Sequence, residues 1–279
     1  MTHHEATGVK EPMLGAIAGD IIGSVHEGTL IKRKDFPLFV PQSCFTDDTV
    51  LTVAVASAIL HGRDYGSSIR EWGRRYPNAG YGLWFLDWLL RDEAPPYNSF
   101  GNGSAMRASS VGWAFSELDA VLSEARRTAE VSHNHPEGVK GAQAVAGAVY
   151  VARASGSKAA IRDFLEDAFG YDCSSSIEDL RAESEFDVAC QGTVPAGAVA
   201  FLTANDFEDA IRNAISLGGD ADTLACIAGA LAEAFYGSVP FSIQREVMFR
   251  LDAPLLSEVR SFARRYSVPL EVLSEPGSE

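Results

Sequence analysis

The stretch MLGAIAGDIIGSVHE, residues 13–27, carries apolar residues at helical spacing, with Gly15, Gly19 and Gly23 at every fourth position. Glycine inside a helix is about 1 kcal/mol less favourable than alanine. Three glycines in register therefore predict a second backbone packed closely against that ridge. One charge interrupts the apolar run. Asp20 falls with Ser24 and Glu27 at i, i+4 and i+7, on one face of the expected helix. Asp20 reads either as a hydrogen-bonded core carboxylate or as part of a site. Glu27 reads either as a surface residue or as a carboxylate at the helix end, projecting into a cluster of ligands.

Working outward, DDTVLTVAVASAILHG (47–62) is apolar almost all round, which predicts a central buried helix. Further helical stretches are expected at 67–75, 83–91, 104–115, 117–130, 137–154, 157–168, 195–204, 206–216, 222–236, 241–251 and 254–266. Ala and Leu dominate them, and many open on Ser, Asp or Pro. No stretch alternates with period two, and no Asn-Gly turn is flanked by strand-like runs. The reading is a single all-α domain over 13–270, between a disordered leader (1–12, with His3 and His4) and a disordered tail (271–279). Residues 170–193 are the most polar and least periodic, and are expected to be an excursion from it.

The 279 residues are 46% hydrophobic and 22% charged, as in an ordinary soluble globular protein. A net charge of −15 argues against binding a nucleic-acid backbone, which requires a basic face. The only basic cluster, KRK at 32–34, is expected to be a solvated loop. No apolar run reaches membrane-spanning length without a charge or breaker. Cys44, Cys173, Cys190 and Cys226 show no C-x-x-C spacing, and the start of the chain has no signal-peptide pattern. Reduced thiols in a cytoplasmic protein are the expectation.

Two segments then demand a common account. FTDDTVLTVAVA (45–56) and SLGGDADTLACIAG (216–229) each set aspartates and a threonine at the mouth of an apolar helix. Capping is one possibility, since Asp and Thr suit a first turn. Each helix needs only one good cap, however, and the segments hold four carboxylates. If the segments meet, two like charges about 4 Å apart repel by about 4 kcal/mol at an effective dielectric of 20. A divalent cation would offset that repulsion. Asp carboxylates with Thr hydroxyls and no nearby Cys or His form a hard, all-oxygen set suited to Mg²⁺ or Mn²⁺. Four aspartates have the capacity for two ions. On these residues alone, capping and metal binding both stand.

YNSFGNGSAMRASSVGWAF (97–115) offers a glycine-rich turn before a helix, where exposed amides suit a phosphate or hydroxyl-rich ligand, with Arg107 one turn in. SHNHPEG (132–138) precedes another helix. Its histidines read as loop residues or as neutral-pH hydrogen-bonding partners of a ligand.

In order along the chain, GDIIGSVHE, FTDDT, GNGSAMR, SHNHPEG and SLGGDADTLACIAGALAEAFYG resemble the ADP-ribosylglycohydrolase family, over about residues 14–237. The resemblance implies an all-α orthogonal helical bundle with a binuclear Mg²⁺ or Mn²⁺ site. Thr46, Asp47 and Asp48 would supply metal ligands from one side, and Asp220, Asp222 and Thr223 from the other. Glu27 and Asp48 would be the catalytic carboxylates. Asn102, Gly103, Ser104, Met106, Arg107 and His133 would line the ADP-ribose. Ala221 stands where many members have Thr, and it falls between ligands. The implied activity is hydrolysis of the α-glycosidic bond between ADP-ribose and an acceptor on a modified protein or small molecule, by a monomer.

Three other readings fit the residues less well. A non-catalytic ADP-ribose-binding relative would have lost metal ligands, and all six are present. A diphosphate enzyme such as a terpene synthase wants D-D-x-x-D, whereas 47–51 reads DDTVL. A calcium-sensor loop wants a central Gly and a closing Glu, which DADTLACIAGAL lacks.

Overall fold

The glycine ridge finds its backbone. The structure, a computed structural model, describes residues 12–267. In it α1 (Leu14–Gly23) lies against α13 (Ala221–Tyr236). A Cβ on Gly15 would fall 2.3 Å from Gly229 O, one on Gly19 2.0 Å from Ala225 O, and one on Gly23 2.4 Å from Asp222 Cα. Only hydrogen fits along this seam. The contact brings the acidic entry of α13 beside the C-terminal end of α1.

Between these two run α2 (Asp47–His61), α3 (Tyr65–Arg75), α4 (Leu83–Leu90), α5 (Gly103–Met106), α6 (Ser109–Ala114) and α7 (Leu118–Glu130). They are followed by α8 (Pro136–Ser155), α9 (Lys158–Phe169), α10 (Ile177–Glu183), α11 (Cys190–Leu202) and α12 (Phe207–Leu217). After α13 come α14 (Phe241–Arg250) and α15 (Ala253–Tyr266). Among the described residues the fold is all-helical, as expected, with two isolated antiparallel bridges, Thr29 with Gly219 and Gly101 with Ala189. No helix there is long and apolar enough to cross a membrane.

At the centre, α13 packs against α1, α8, α11 and α12, while α2 packs against α1, α3, α6 and α15. From Ala221 to Ala234 every residue of α13 is buried, as are Asp48 to Ala58 of α2. This is the all-round apolar pattern put to use. Buried Glu233 reaches from α13 to accept a hydrogen bond from Gly15 N (2.9 Å), satisfying an otherwise free amide at the start of α1.

Several boundaries differ from the sequence reading. The first helix stops at Gly23, so Ser24 and Glu27 do not continue its face. Residues 24–28 form a turn closed by His26 N to Gly23 O (2.7 Å) and Gly28 N to Gly219 O (2.8 Å). The helix expected over 104–115 is broken at Arg107–Ala108 into α5 and α6. The helix expected at 195 begins at Cys190 and carries Pro195 inside its first two turns. The excursion at 170–193 contains α10.

Residues 32–34 are not simply solvated. Lys32 Nζ donates to Ser184 O and Leu217 O (2.7 Å each), and Lys34 pairs with Asp209. Only Arg33 stays at the surface, beside Asp35. Most of the expected leader and the whole tail lie outside the described residues, and Pro12, assigned to the leader, is buried.

Candidate functional site

At the mouth of α2, the capping that the aspartates were suspected of is done by other groups. Thr46 is the N-cap, and its Oγ1 accepts from Asp48 N (3.3 Å). Asp20, reaching across from α1, accepts from Thr46 N (2.9 Å), Thr46 Oγ1 (2.6 Å), Thr49 N (3.0 Å) and Thr49 Oγ1. It is fully buried, so it is the hydrogen-bonded core carboxylate anticipated, and it satisfies the free amides at a helix start. Asp47 and Asp48 are thereby released from any capping duty.

The mouth of α13 is shaped by two glycines in left-handed conformation, Gly218 (φ 78°) and Gly219 (φ 74°). A Cβ on them would meet Thr29 O at 2.8 Å and Glu185 O at 2.7 Å respectively, so both geometry and space require glycine. Asp220 then occupies the N-cap position without capping the helix. Its Oδ2 instead accepts from Asn102 Nδ2 (2.6 Å). Asp222 accepts from the adjacent Thr223 N (3.0 Å), and Thr223 Oγ1 donates to Asp48 Oδ2 (3.2 Å). That last bond joins the two motifs across the core. They do meet.

Carboxylate oxygens of Asp20, Asp48 and Asp222 come within 4.8 Å of one another, as do those of Glu27, Asp220 and Asp222. Burial, reinforced by Asp222 and the neighbouring carboxylates, holds Asp48 well above the ordinary carboxylate range. Burial and Asp220 do the same for Asp222, and burial with Asp20 and Asp220 pushes Asp47 up to about 8. Glu27 sits at the exposed lip, its pKa raised by partial burial and by Asp220 and Asp20. Asp48 Oδ1 is buried with no hydrogen-bond partner. None of the ion pairs among the described residues reaches these five aspartates or Glu27. A hard cation held by oxygen donors fits such a cluster; without one, it repels itself.

The carboxylates line a cavity of about 410 Å³. Glu27, Asp47, Asp48, Asp220, Asp222 and Thr223 line it, and so do Asn102, Gly103, Met106, Arg107 and His133. Thr46 and Ser104 do not. The Thr46 hydroxyl is turned to Asp20, and Ser104 Oγ is spent on Gly138 O (2.7 Å) beneath the loop. Met106 Sδ reaches Thr223 Oγ1 at 4.0 Å, so the loop and the carboxylate floor are in contact.

Arg107 differs most from expectation. It does not project from a helix turn but lies fully buried at the break between α5 and α6. Its Nη2 donates to Thr128 O (2.7 Å) and Ser132 Oγ (3.0 Å), while Nε and Nη1 have no partner. Burial lowers its pKa to about 10, so it stays cationic at neutral pH. His133 is buried and neutral, its pKa held well below the usual value by burial and by Arg107.

Sequence reasoning named no residue of one wall. Leu83, Trp84 and Phe85, at the start of α4, line the cavity together with Phe186 and Val188 from the 170–193 excursion. Trp84 is 79% exposed and Phe186 56%, both large apolar groups left at a rim. The run GLWFLDWLL was legible as apolar on nearly every side, a hint that one face was not meant for the core.

The fold and cleft define an all-helical protein with an acidic ligand pocket. The ADP-ribosylglycohydrolase family model matches residues 5–267. The chain belongs to the ADP-ribosylglycohydrolase family, a family of glycosyl hydrolases. It is similar to ADP-ribosylhydrolase ARH3 of Bos taurus, at 26% identity over 317 residues, covering 84% of this chain and 86% of the relative. It is also similar to ADP-ribosylarginine hydrolase Tri1 of Pseudomonas putida (strain GB-1), at 25% identity over 262 residues, covering 82% and 70%. A solved structure described as an ADP-ribosylglycohydrolase-related protein complex shares the fold, with a TM-score of 0.69 at 24% identity over 92% of this chain and 98% of that one.

Proposed function

We propose that this protein is a divalent-metal-dependent hydrolase that cleaves the α-glycosidic bond between ADP-ribose and an acceptor. The observation carrying the proposal is the meeting of both aspartate motifs, at the floor of a cavity that Asn102, Gly103, Met106, Arg107 and His133 also line. Asp47, Asp48, Asp220, Asp222 and Thr223 are the groups that would hold two Mg²⁺ or Mn²⁺ ions; Thr46, expected among them from the family, has its hydroxyl on Asp20 and supports the mouth of α2. When bound, such ions supply Lewis acidity toward the ribose hydroxyls and relieve the repulsion among the carboxylates.

In the reaction, the bond from the ribose anomeric carbon to the acceptor breaks and a bond to a water oxygen forms, with the water's proton passing to the acceptor. The transition state is oxocarbenium-like, and the anionic floor stabilises the positive charge on the sugar. Glu27 stands at the lip of that floor, its pKa raised by partial burial and by Asp220 and Asp20, which favours a carboxyl that holds and delivers a proton. Asp48 is the second carboxylate assigned to the chemistry. Elsewhere in the lining, Arg107 is a buried cation whose electrostatic neighbours, Tyr97 and Cys190, include no carboxylate, so its field favours an anionic diphosphate. One relative's name specifies ADP-ribosylarginine and the other names no linkage, and the acceptor class proposed here is a modified side chain such as arginine or serine, or a small ADP-ribosyl metabolite.

The test is turnover of a panel of ADP-ribosylated acceptors before and after chelation. Activity should vanish on chelation and return with Mg²⁺ or Mn²⁺. Full turnover by metal-free protein would refute the metal dependence, and no turnover of any acceptor by the metal-loaded protein would refute the hydrolase.

A further inference from the structure

His133 reaches the cavity on a chain of buried polar groups. At its base, Arg107 Nη2 donates both to Thr128 O, a carbonyl in the last turn of α7, and to Ser132 Oγ. The negative end of the α7 dipole gives the cation a partner without a carboxylate. Ser132 Oγ lies 2.8 Å from His133 Nδ1. Ser132 is fully buried, and no other side-chain contact of its hydroxyl competes with these two. The backbone is pinned as well, by Ser132 N to Ala129 O (3.1 Å), His133 N to Ala129 O (2.7 Å) and Tyr97 N to Ser132 O (3.2 Å). Phe85 and Tyr97 flank the ring, with centroids 6.2 and 5.7 Å away.

The direction of each proton follows from what each group is able to do. A guanidinium only donates, so Ser132 Oγ accepts from Arg107. The serine's single hydrogen then has one acceptor within reach, His133 Nδ1. If Nδ1 carried a proton instead, two donors would point at Oγ and the serine hydrogen would be buried without a partner, at a cost of about 1–3 kcal/mol. The imidazolium form is worse, because it adds a second positive charge beside Arg107. One arrangement satisfies all three groups: Nδ1 accepts, and the ring's proton sits on Nε2. That nitrogen lies against the glycine loop, 3.1 Å from where a Cβ on Gly103 would stand and 3.7 Å from one on Gly101. The loop's glycines leave room for something to meet it there.

We infer that Ser132, held by Arg107, is a positioning residue that locks His133 as a neutral imidazole with its Nε2–H presented to the cavity as a hydrogen-bond donor for an acceptor atom of the bound nucleotide sugar. The nature of the ligand rests on the functional reading above; the locked tautomer does not. Arg107 thus acts on two levels, as a buried positive field and as the group that fixes which way the serine hydroxyl points.

The test is ¹⁵N NMR of histidine-labelled full-length protein at pH 7, with His133 assigned by loss of its signals in His133→Gln. The wild type should show an unprotonated Nδ1 and a protonated Nε2, and both should persist as pH falls through the ordinary imidazole range. In Ser132→Ala the lock is lost, so the imidazole signals should double or broaden and the affinity for ADP-ribose should fall about tenfold. Ser132→Thr, which keeps the hydroxyl, should restore a single form. A protonated Nδ1 in the wild type overturns the inference without any variant being needed. So does a Ser132→Ala protein whose imidazole signals and ADP-ribose affinity match the wild type. If the wild type shows the locked tautomer yet does not bind ADP-ribose, the functional reading fails and the lock stands.

Discussion

Replacing Gly19 by alanine sets two known effects against each other, and the structure decides between them. In an isolated helix the change should stabilise by about 1 kcal/mol. Here the new Cβ would stand 2.0 Å from Ala225 O, 2.2 Å from Ala225 C and 2.5 Å from Cys226 N. All three atoms are backbone of α13, so no side-chain rotation relieves the clash. The helices must part by about 1 Å before the closest contact reaches 3.0 Å. A gap of that size forfeits a quarter to a half of the dispersion attraction across the seam. Overpacking of this kind costs about 3 kcal/mol or more, at the upper end of the usual range, and the helix-propensity gain returns about 1. A net loss of about 2 kcal/mol is expected, lowering the unfolding midpoint by roughly 3–4 °C for a chain of this size.

The same displacement should be felt at the site. Gly19 is adjacent to Asp20, which organises the mouth of α2, and its contact at Ala225 lies one turn from Asp222 and Thr223. Parting α1 from α13 therefore loosens the two halves of the carboxylate cluster. Denaturant unfolding and thermal melts, with and without Mn²⁺, provide the assay: Gly19→Ala should be less stable and should gain less from added metal than the wild type. A variant as stable as the wild type or more so would refute the close-packed seam. The matching change Gly229→Ala, whose Cβ would lie 2.2 Å from Gly15 O, should behave alike.

Four further outcomes follow from the cluster and cleft. Asp48→Asn keeps size and capping ability but removes charge; turnover should fall about 1000-fold, roughly 4 kcal/mol of barrier, while the melting temperature of metal-free protein stays level or rises. Glu27→Gln should retain ADP-ribose and metal by calorimetry and lose about 100-fold or more in turnover; an active variant would remove Glu27 from the chemistry. Metal-free protein should melt higher as pH falls. Asp47 titrates near 8 when folded against 3.8 when free, so the folded state binds more protons between those values, and stability present below them is lost as pH rises through 8. The shift should be roughly 5 °C by scanning fluorimetry, and saturating Mg²⁺ should flatten it; a flat metal-free profile would contradict the buried cluster. ADP-ribose should bind more tightly than AMP, because the second ribose reaches the carboxylate floor; equal affinities would count against a sugar site there.

What the sequence revealed and concealed follows from the range of each interaction. The all-helical fold was legible because helical periodicity is local. The α1–α13 seam was legible because glycine at every fourth position weakens a helix unless a neighbouring backbone occupies the space its side chains vacate. The clustering of carboxylates could be suspected, since four of them exceed what two caps require. Which residues cap was not legible: Asp20 lies 26 residues before Thr46, and only the folded contact between α1 and α2 shows it serving the mouth of α2. The 104–115 helix looked continuous because nothing in ASSVGWAF forbids one. Its break coincides with Arg107 turning inward to the end of α7, a tertiary contact with no local signature.

The buried arginine is the clearest case of function read only in three dimensions. As sequence, GNGSAMR suggested a cation offered to a ligand from the first turn of a helix. As structure, the guanidinium never meets solvent, yet its charge survives because a helix end and a serine hydroxyl stand in for the missing carboxylate. The cavity lining therefore includes both a fixed positive charge and an excess of negative charge. A ligand with an anionic middle and a hydroxyl-rich sugar is matched by that polarity once cations occupy the floor. Binding and metal loading should then be linked: ADP-ribose should bind metal-free protein weakly, and Mn²⁺ should raise its affinity by the same factor by which ADP-ribose raises that of Mn²⁺. An ADP-ribose affinity that is the same with and without Mn²⁺ would mean that the sugar and the ions do not share a site.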